Sequence, residues 1–187
     1  MFEREILLDH AAVNAAIARL ADEVVGEFCG CCKEKFALLG IHRQGVPLAS
    51  RLARMVAERC GYAPEVGMLD ISMYRDDIGM RKTLPKINVT DIPFDVNDNN
   101  IVLVDDIFSS GRTIRAALDA ITDYGRPRTI RLAVLVDRHA SEFPIHPDFT
   151  GVDMSAPEDF KLIAEFTPDD AADAVYQVRW QSDKKQG

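Results

Sequence analysis

The sequence predicts an α/β domain built on a mostly parallel sheet. Apolar runs alternate along the chain with stretches of helical periodicity. Two of those runs, Ile101–Val104 and Leu132–Val136, are apolar at every position, as strands buried on both faces must be. Glycine and proline stand where one element gives way to the next, at Gly61, Pro64, Gly125 and Pro127.

The elements follow in order. Val13, Ala16, Ile17, Leu20 and Val24 recur at helical spacing, and Asp9 stands where an N-cap belongs. Phe36–Ile41 (FALLGI) reads as a short buried strand. Leu48, Leu52, Met55 and Val56 form the next helical stripe, which ends near Gly61 and Pro64. Val66 to Tyr74 alternates, with Leu69, Ile71 and Met73 on one face and Asp70, Ser72 and Tyr74 on the other, so a strand is expected over the whole stretch. From Arg75 to Pro93 no period is sustained; a long polar loop in a compact domain usually has a functional role. The strand Ile101–Val104 comes next, then a helix marked by Ile114, Ala117, Leu118 and Ile121, then the strand Leu132–Val136. Val175–Trp180 is a further β-like piece, with Trp180 read as packing, and 182–187 reads as a frayed tail.

Composition narrows the function. A chain of 187 residues fits one domain and can bury a core without staples. Hydrophobic residues at 47% and charged residues at 28% mark a globular chain, not a disordered one. With 22 basic and 30 acidic residues the net charge is −8, which excludes a general polyanion binder; any phosphate must be held at a local site. No apolar run nears the roughly 18 residues of a membrane helix. The start MFEREILLDH lacks the charged-then-apolar pattern of an export signal, so no membrane contact and a cytoplasmic location with reduced thiols are expected. Cys29, Cys31 and Cys32 crowd together too closely for a disulfide framework, and with Cys60 they offer no second spaced pair for zinc. His10, His42, His139 and His146 are scattered through polar stretches and read as loop histidines. No metal held by the protein's own side chains is expected.

One stretch carries chemistry: Ile101-Val-Leu-Val-Asp105-Asp106-Ile107-Phe108-Ser109-Ser110-Gly111-Arg112-Thr113. A buried strand ends in two acids, a loop of hydroxyl residues and glycine follows, and a helix begins. Gly111 lets the backbone turn and approach a ligand. Amides at the helix start, with the Ser and Thr hydroxyls, form an anion cradle. Carboxylates cannot hold phosphate but suit hydroxyl groups, so acids beside such a cradle fit a sugar phosphate. Taken alone, the acid pair also fits a helix cap beside a solvated carboxylate. A P-loop is excluded because no glycine is followed by lysine, and the G-x-G-x-x-G of a dinucleotide fold is absent.

VLVDDIFSSGRT resembles the 5-phosphoribosyl-1-diphosphate (PRPP) signature of type I phosphoribosyltransferases. LLGIHRQGVPLASRLA (39–54), LDISMYRDDI (69–78), DIPFDV (91–96) and AALDAITDYGRPRTIRLAVLVDRHASEFPIHPDFTG (116–151) are similar to the PyrR family, uracil phosphoribosyltransferases that also regulate pyrimidine operons. The resemblance implies a type I phosphoribosyltransferase fold with a small hood built from terminal segments, over 1–181. It implies that Asp105 and Asp106 bind the ribose hydroxyls, and that Ile107 to Thr113, with Arg112 among them, hold the 5′-phosphate. It gives pyrophosphate to His42, Arg43, Gln44 and Gly45, with Gln44 standing where the family commonly has a basic residue. It makes 75–90 a flexible catalytic loop with Arg75, Arg81 and Lys82 as pyrophosphate contacts, and Val136, Asp137 and Arg138 the base pocket. From residues alone, Arg43 also reads as a surface arginine and Asp137–Arg138 as a strand-end ion pair. The resemblance further implies Mg²⁺ bound with PRPP, uracil and UMP as ligands, and a homodimer or larger assembly. A messenger RNA leader is a weaker expectation: residues 139–155 (HASEFPIHPDFTGVDMS) contain no Arg or Lys where attenuating members are basic, and acids crowd 137–183 against Arg138, Lys161 and Arg179.

Overall fold

The computed structural model describes residues 4–29, 35–76, 88–155, 157, 159–168 and 172–179. The elements run β1 (Arg4–Leu8), α1 (His10–Phe28), β2 (Phe36–Ile41), α2 (Gly45–Cys60), β3 (Val66–Leu69), β4 (Asn100–Phe108), α3 (Arg112–Thr122), β5 (Thr129–Asp137), β6 (Phe149–Asp153), β7 (Phe160–Glu165) and β8 (Ala174–Arg179). Five strands form a sheet in the order β3-β2-β4-β5-β6, and every pairing in it is parallel. The expected tail 182–187 and Trp180 lie outside the described residues.

Side-chain alternation divides the core in two. Val102 and Val104 of β4 face α1 and α2, with Ile17, Leu20, Leu48 and Leu52. Ile101 and Leu103 face the opposite side, against Ile114, Ala117 and Ile121 of α3. This is why the central strands are apolar at consecutive positions: each face has its own helical layer to fill. The helix ends follow the sequence. Asp9 accepts from the Ala12 N–H at 2.9 Å, and α2 stops at Gly61, whose φ of 70° is a left-handed cap.

Two boundaries differ from the sequence reading. β3 ends at Leu69, not near Tyr74, because the Asp70 carboxylate takes the Ser72 N–H at 2.8 Å and the Tyr74 N–H turns back to the Ile71 carbonyl. β4 runs to Phe108 and not to Val104, since Asp105, Ile107 and Phe108 continue the ladder against Val134, Val136 and Asp137.

A second, antiparallel sheet, β1-β8-β7, is built from both ends of the described chain. Leu162 and Ala164 of β7 and Val175 of β8 turn into the core shared with α1 and α2. The Arg51 guanidinium grips Asp173 with both nitrogens, at 2.5 and 2.7 Å, and ties this hood to α2. Among the described residues no helix is long and apolar enough to cross a membrane.

Candidate active site

Chain order puts β3 and β4 on opposite sides of β2, so the order of strand addition reverses between β2 and β4 while the strands stay parallel. Ligands of open parallel sheets sit at the carboxyl ends of the strands flanking that reversal. Here those ends carry His42-Arg43-Gln44, with a cis peptide between His42 and Arg43, and Asp105-Asp106. Two glycines bring them together. A Cβ on Gly45 would lie 2.4 Å from the Val104 carbonyl oxygen, and one on Gly40 would lie 2.6 Å from the Gly45 oxygen. The start of α2 therefore packs directly on β2 and β4, and Gly45 serves this backbone contact.

A cavity of about 450 Å³ opens at this point. Asp105, Asp106 and Ile107 meet Arg43, Arg75 and Thr113 across it. Asp105 is buried, and its Oδ1 accepts the Asp106 N–H at 3.1 Å. Burial pushes the Asp105 carboxyl well above the usual carboxylate range, and the adjacent Asp106 adds to the shift. Asp106 is raised too, chiefly by burial, while hydrogen bonds from Asp105 and from backbone amides hold it back. A pair that cannot comfortably carry two charges favours partners that donate a proton or bring positive charge.

The following loop turns at Gly111, whose φ of 84° is costly for other residues. No side chain caps α3, although the Arg112 N–H lies 3.4 Å from the Ser110 hydroxyl. Ser109 and Ser110 are half-buried beside these amides. Two side chains expected here point elsewhere. The Phe108 ring belongs to the core on the α3 face. The Arg112 guanidinium pairs with Asp76 at 2.8 Å and Glu142 at 2.5 Å, over the Phe143 ring, joined there by Arg115. Gln44 is the N-cap position of α2.

The residues expected to form the base pocket end β5; they do not line the cavity, but Val136 pairs with Ile107, which does. Val136 is fully buried. Asp137 is buried and takes the His139 N–H at 2.8 Å, and the His139 ring nitrogens lie 3.4 Å from Asp137 and 2.9 Å from Asp153. His139 is thus not a solitary loop histidine: its ring and the two carboxylates place donor atoms within 4.8 Å of one another. Arg138 donates to the Phe160 carbonyl of β7 at 3.1 Å and joins the main sheet to the hood. Arg81 and Lys82 lie outside the described residues.

Sequence reasoning overlooked Asp70, Ser72 and Asn88, all of which line the cavity. The Asp70 carboxylate accepts from the Ser72 hydroxyl at 2.6 Å and from the Asn88 N–H at 2.5 Å, so it gathers both flanks of the intervening segment. Burial alone would raise its pKa. The Ser72 and Asn88 hydrogen bonds and nearby His42 outweigh that and lower it. The available signal was an aspartate two residues before a serine, a turn-forming spacing, inside a run that alternates like a strand.

The phosphoribosyl transferase domain family matches residues 3–171, a span that holds the acid pair and the glycine-turned loop, and the chain is a phosphoribosyltransferase by class. Solved hypoxanthine phosphoribosyltransferase from Trypanosoma cruzi shares the fold, with a TM-score of 0.72 at 14% identity over 95% of this chain and 96% of that one. The bifunctional protein PyrR of Roseiflexus is 44% identical over 96% of this chain and 97% of its own. That of Picosynechococcus is 46% identical over 92% and 96%, and that of Thermus aquaticus 50% identical over 78% and 79%. The chain belongs to the PyrR family of phosphoribosyltransferases.

Proposed function

We propose that this chain converts uracil and PRPP to UMP and pyrophosphate, with 1–181 acting as one catalytic domain in a cytoplasmic homo-oligomer. The observation that carries the reaction is the Asp105–Asp106 pair, Asp105 buried and Asp106 half-buried, beside a helix start that no side chain caps. In this reading the ribose hydroxyls donate to the two carboxylates, and their raised proton affinity favours such donors. The 5′-phosphate accepts from amides and hydroxyls of Ser109 to Thr113. Arg43 and Arg75, across the cavity, offset the charge of the pyrophosphate. As the bond from the anomeric carbon to pyrophosphate lengthens, positive charge grows on the sugar and negative charge on the leaving group. Asp105 and Asp106 favour the first and the arginines the second, a preorganised electrostatic effect. The uracil nitrogen then bonds to the anomeric carbon and loses its proton. The base would lie toward Val136–Arg138, between β5 and the hood.

Mg²⁺ would be carried in on the PRPP pyrophosphate, on the side of the cavity lined by Arg43 and Arg75, without a ligand from the protein's own side chains. When bound, the ion neutralises charge on the departing pyrophosphate. The test is a product assay with labelled PRPP and Mg²⁺ against uracil, hypoxanthine, guanine and orotate. UMP from uracil alone is expected. A purine nucleotide overturns the base assignment, and no nucleotide from any base overturns the reaction.

The relatives are named bifunctional, and the second role proposed here is UMP- or UTP-responsive control of pyrimidine genes through messenger RNA. The surface for it is thin. Residues 139–155 carry no lysine or arginine, and Arg112 and Arg115 are already paired with acids. A gel shift with the leader of the chain's own pyrimidine genes separates the roles: UMP-dependent retardation supports regulation, and an unshifted RNA with an active enzyme leaves catalysis alone.

A further inference from the structure

We propose that Cys29 and Cys60 form a dithiol site that exchanges with a low-molecular-weight disulfide and closes into an intramolecular bridge. Their Sγ atoms lie 3.0 Å apart, and both side chains are half-buried and so not sealed from solvent. The contact joins elements far apart in sequence: Cys29 is the C-cap of α1, and Cys60 is the last residue of α2. The helices are held side by side around it. Arg59 donates to Asp22 at 2.5 Å and to the Ala18 carbonyl at 3.3 Å. Phe28 stacks on Phe36 at 4.5 Å, and Tyr62 donates to the Phe36 carbonyl at 2.8 Å. Converging sulfurs on a fixed pair of backbones are what bridge formation requires.

The phosphoribosyl chemistry has no use for this pair. The cavity lies at the first turn of α2 and Cys60 at its last, roughly 22 Å away along the helix. In the exchange, one cysteine thiolate attacks a sulfur of the small disulfide RSSR and displaces RS⁻, which takes up a proton. The second thiolate attacks the protein sulfur of that mixed disulfide and displaces the remaining RS⁻. The two protein thiols give up two electrons and two protons, and RSSR becomes two RSH. Burial, followed by the Cys60 contact, pushes the Cys29 thiol up to about 11, which keeps it protonated at neutral pH and makes the exchange slow.

The bridge closes a loop of roughly thirty residues, which predicts a rise in Tm of roughly 10 °C for a chain of this size. Turnover changes by less than about two-fold, because a rigid helix separates the bridge from the cavity. The test incubates reduced protein with oxidised glutathione, blocks remaining thiols with iodoacetamide and maps the peptides by mass spectrometry. A peptide cross-linked through Cys29 and Cys60, reversed by dithiothreitol and accompanied by the Tm rise, is the expected result. Cys60→Ser shows neither the cross-link nor the rise. Full alkylation of both cysteines after prolonged exposure overturns the proposal. So does a stable glutathione adduct on either, or a bridge from either to Cys31 or Cys32. Mapping the unmutated chain decides the matter even where the variant folds poorly.

Discussion

At the scale of single residues, the acid pair sets function against stability. Asn at position 105 keeps an oxygen for the Asp106 N–H but removes a buried charge beside another carboxylate. Asp105→Asn is therefore expected to lower turnover by about 100- to 1,000-fold and to raise Tm by about 2–4 °C near pH 8. The sign follows from a carboxyl raised in the fold: its stabilising contribution is complete below the unfolded value, about 3.9, and is lost as pH rises through the raised folded value. The Tm gap between variant and wild type must accordingly shrink toward acid pH. A constant gap from pH 5 to pH 8, or an unchanged turnover, contradicts the role assigned to Asp105. The pair was legible because two adjacent acids after IVLV have few structural uses. Side-chain direction was not: nothing local reveals that Phe108 turns into the core or that Arg112 leans out to Asp76 and Glu142.

At the scale of elements, hydropathy located FALLGI and the three helical stripes, and it misjudged two strand ends in opposite senses. Alternation carried the β3 expectation too far, because it records which way side chains point and not whether a ladder partner exists. Asp70 supplies a turn acceptor there and ends the strand. Polarity cut β4 too short, because Asp105 and Asp106 resemble a loop while Asp105, Ile107 and Phe108 still pair with β5. The junction of β2, α2 and β4 yields a sharper expectation. Gly45→Ala sets a methyl against backbone, 2.4 Å from the Val104 oxygen, where no side chain can swing aside. We expect a loss of about 1–3 kcal/mol in denaturant unfolding. Activity should fall further than stability, since α2 would be lifted from β4 and Arg43 displaced from the acids. A KM for PRPP like that of wild type would show that the close approach does not position Arg43.

At the scale of the whole molecule, an ion pair between Arg51 and Asp173 helps to fasten the hood. Asp173 receives both Arg51 nitrogens and the Thr167 amide at 2.8 Å, and its side chain is 2% exposed. The Arg51 hydrogen bonds, with Thr167 assisting against burial, hold the Asp173 carboxyl below the usual range. Asp173→Ala takes the carboxylate from an Arg51 guanidinium that is partly exposed and still bonded to Thr167, and should cost about 1–3 kcal/mol. A lowered carboxyl stabilises above the unfolded value and ceases to do so as pH falls, so the difference from wild type narrows below about pH 4. Guanidinium-chloride unfolding at pH 7 and pH 3 measures it; a gap that widens in acid refutes the assignment. No local pattern announces a bond between residues so distant along the chain, although the parallel core between them was readable from its apolar runs. The pairing of β1 with β8 has a temporal consequence. A nascent polypeptide acquires the acid pair and the glycine-turned loop well before its roof, whose first strand waits unpartnered until β8 has emerged. The roof therefore forms when β8 arrives to join β1 and β7, all at once, and not by degrees.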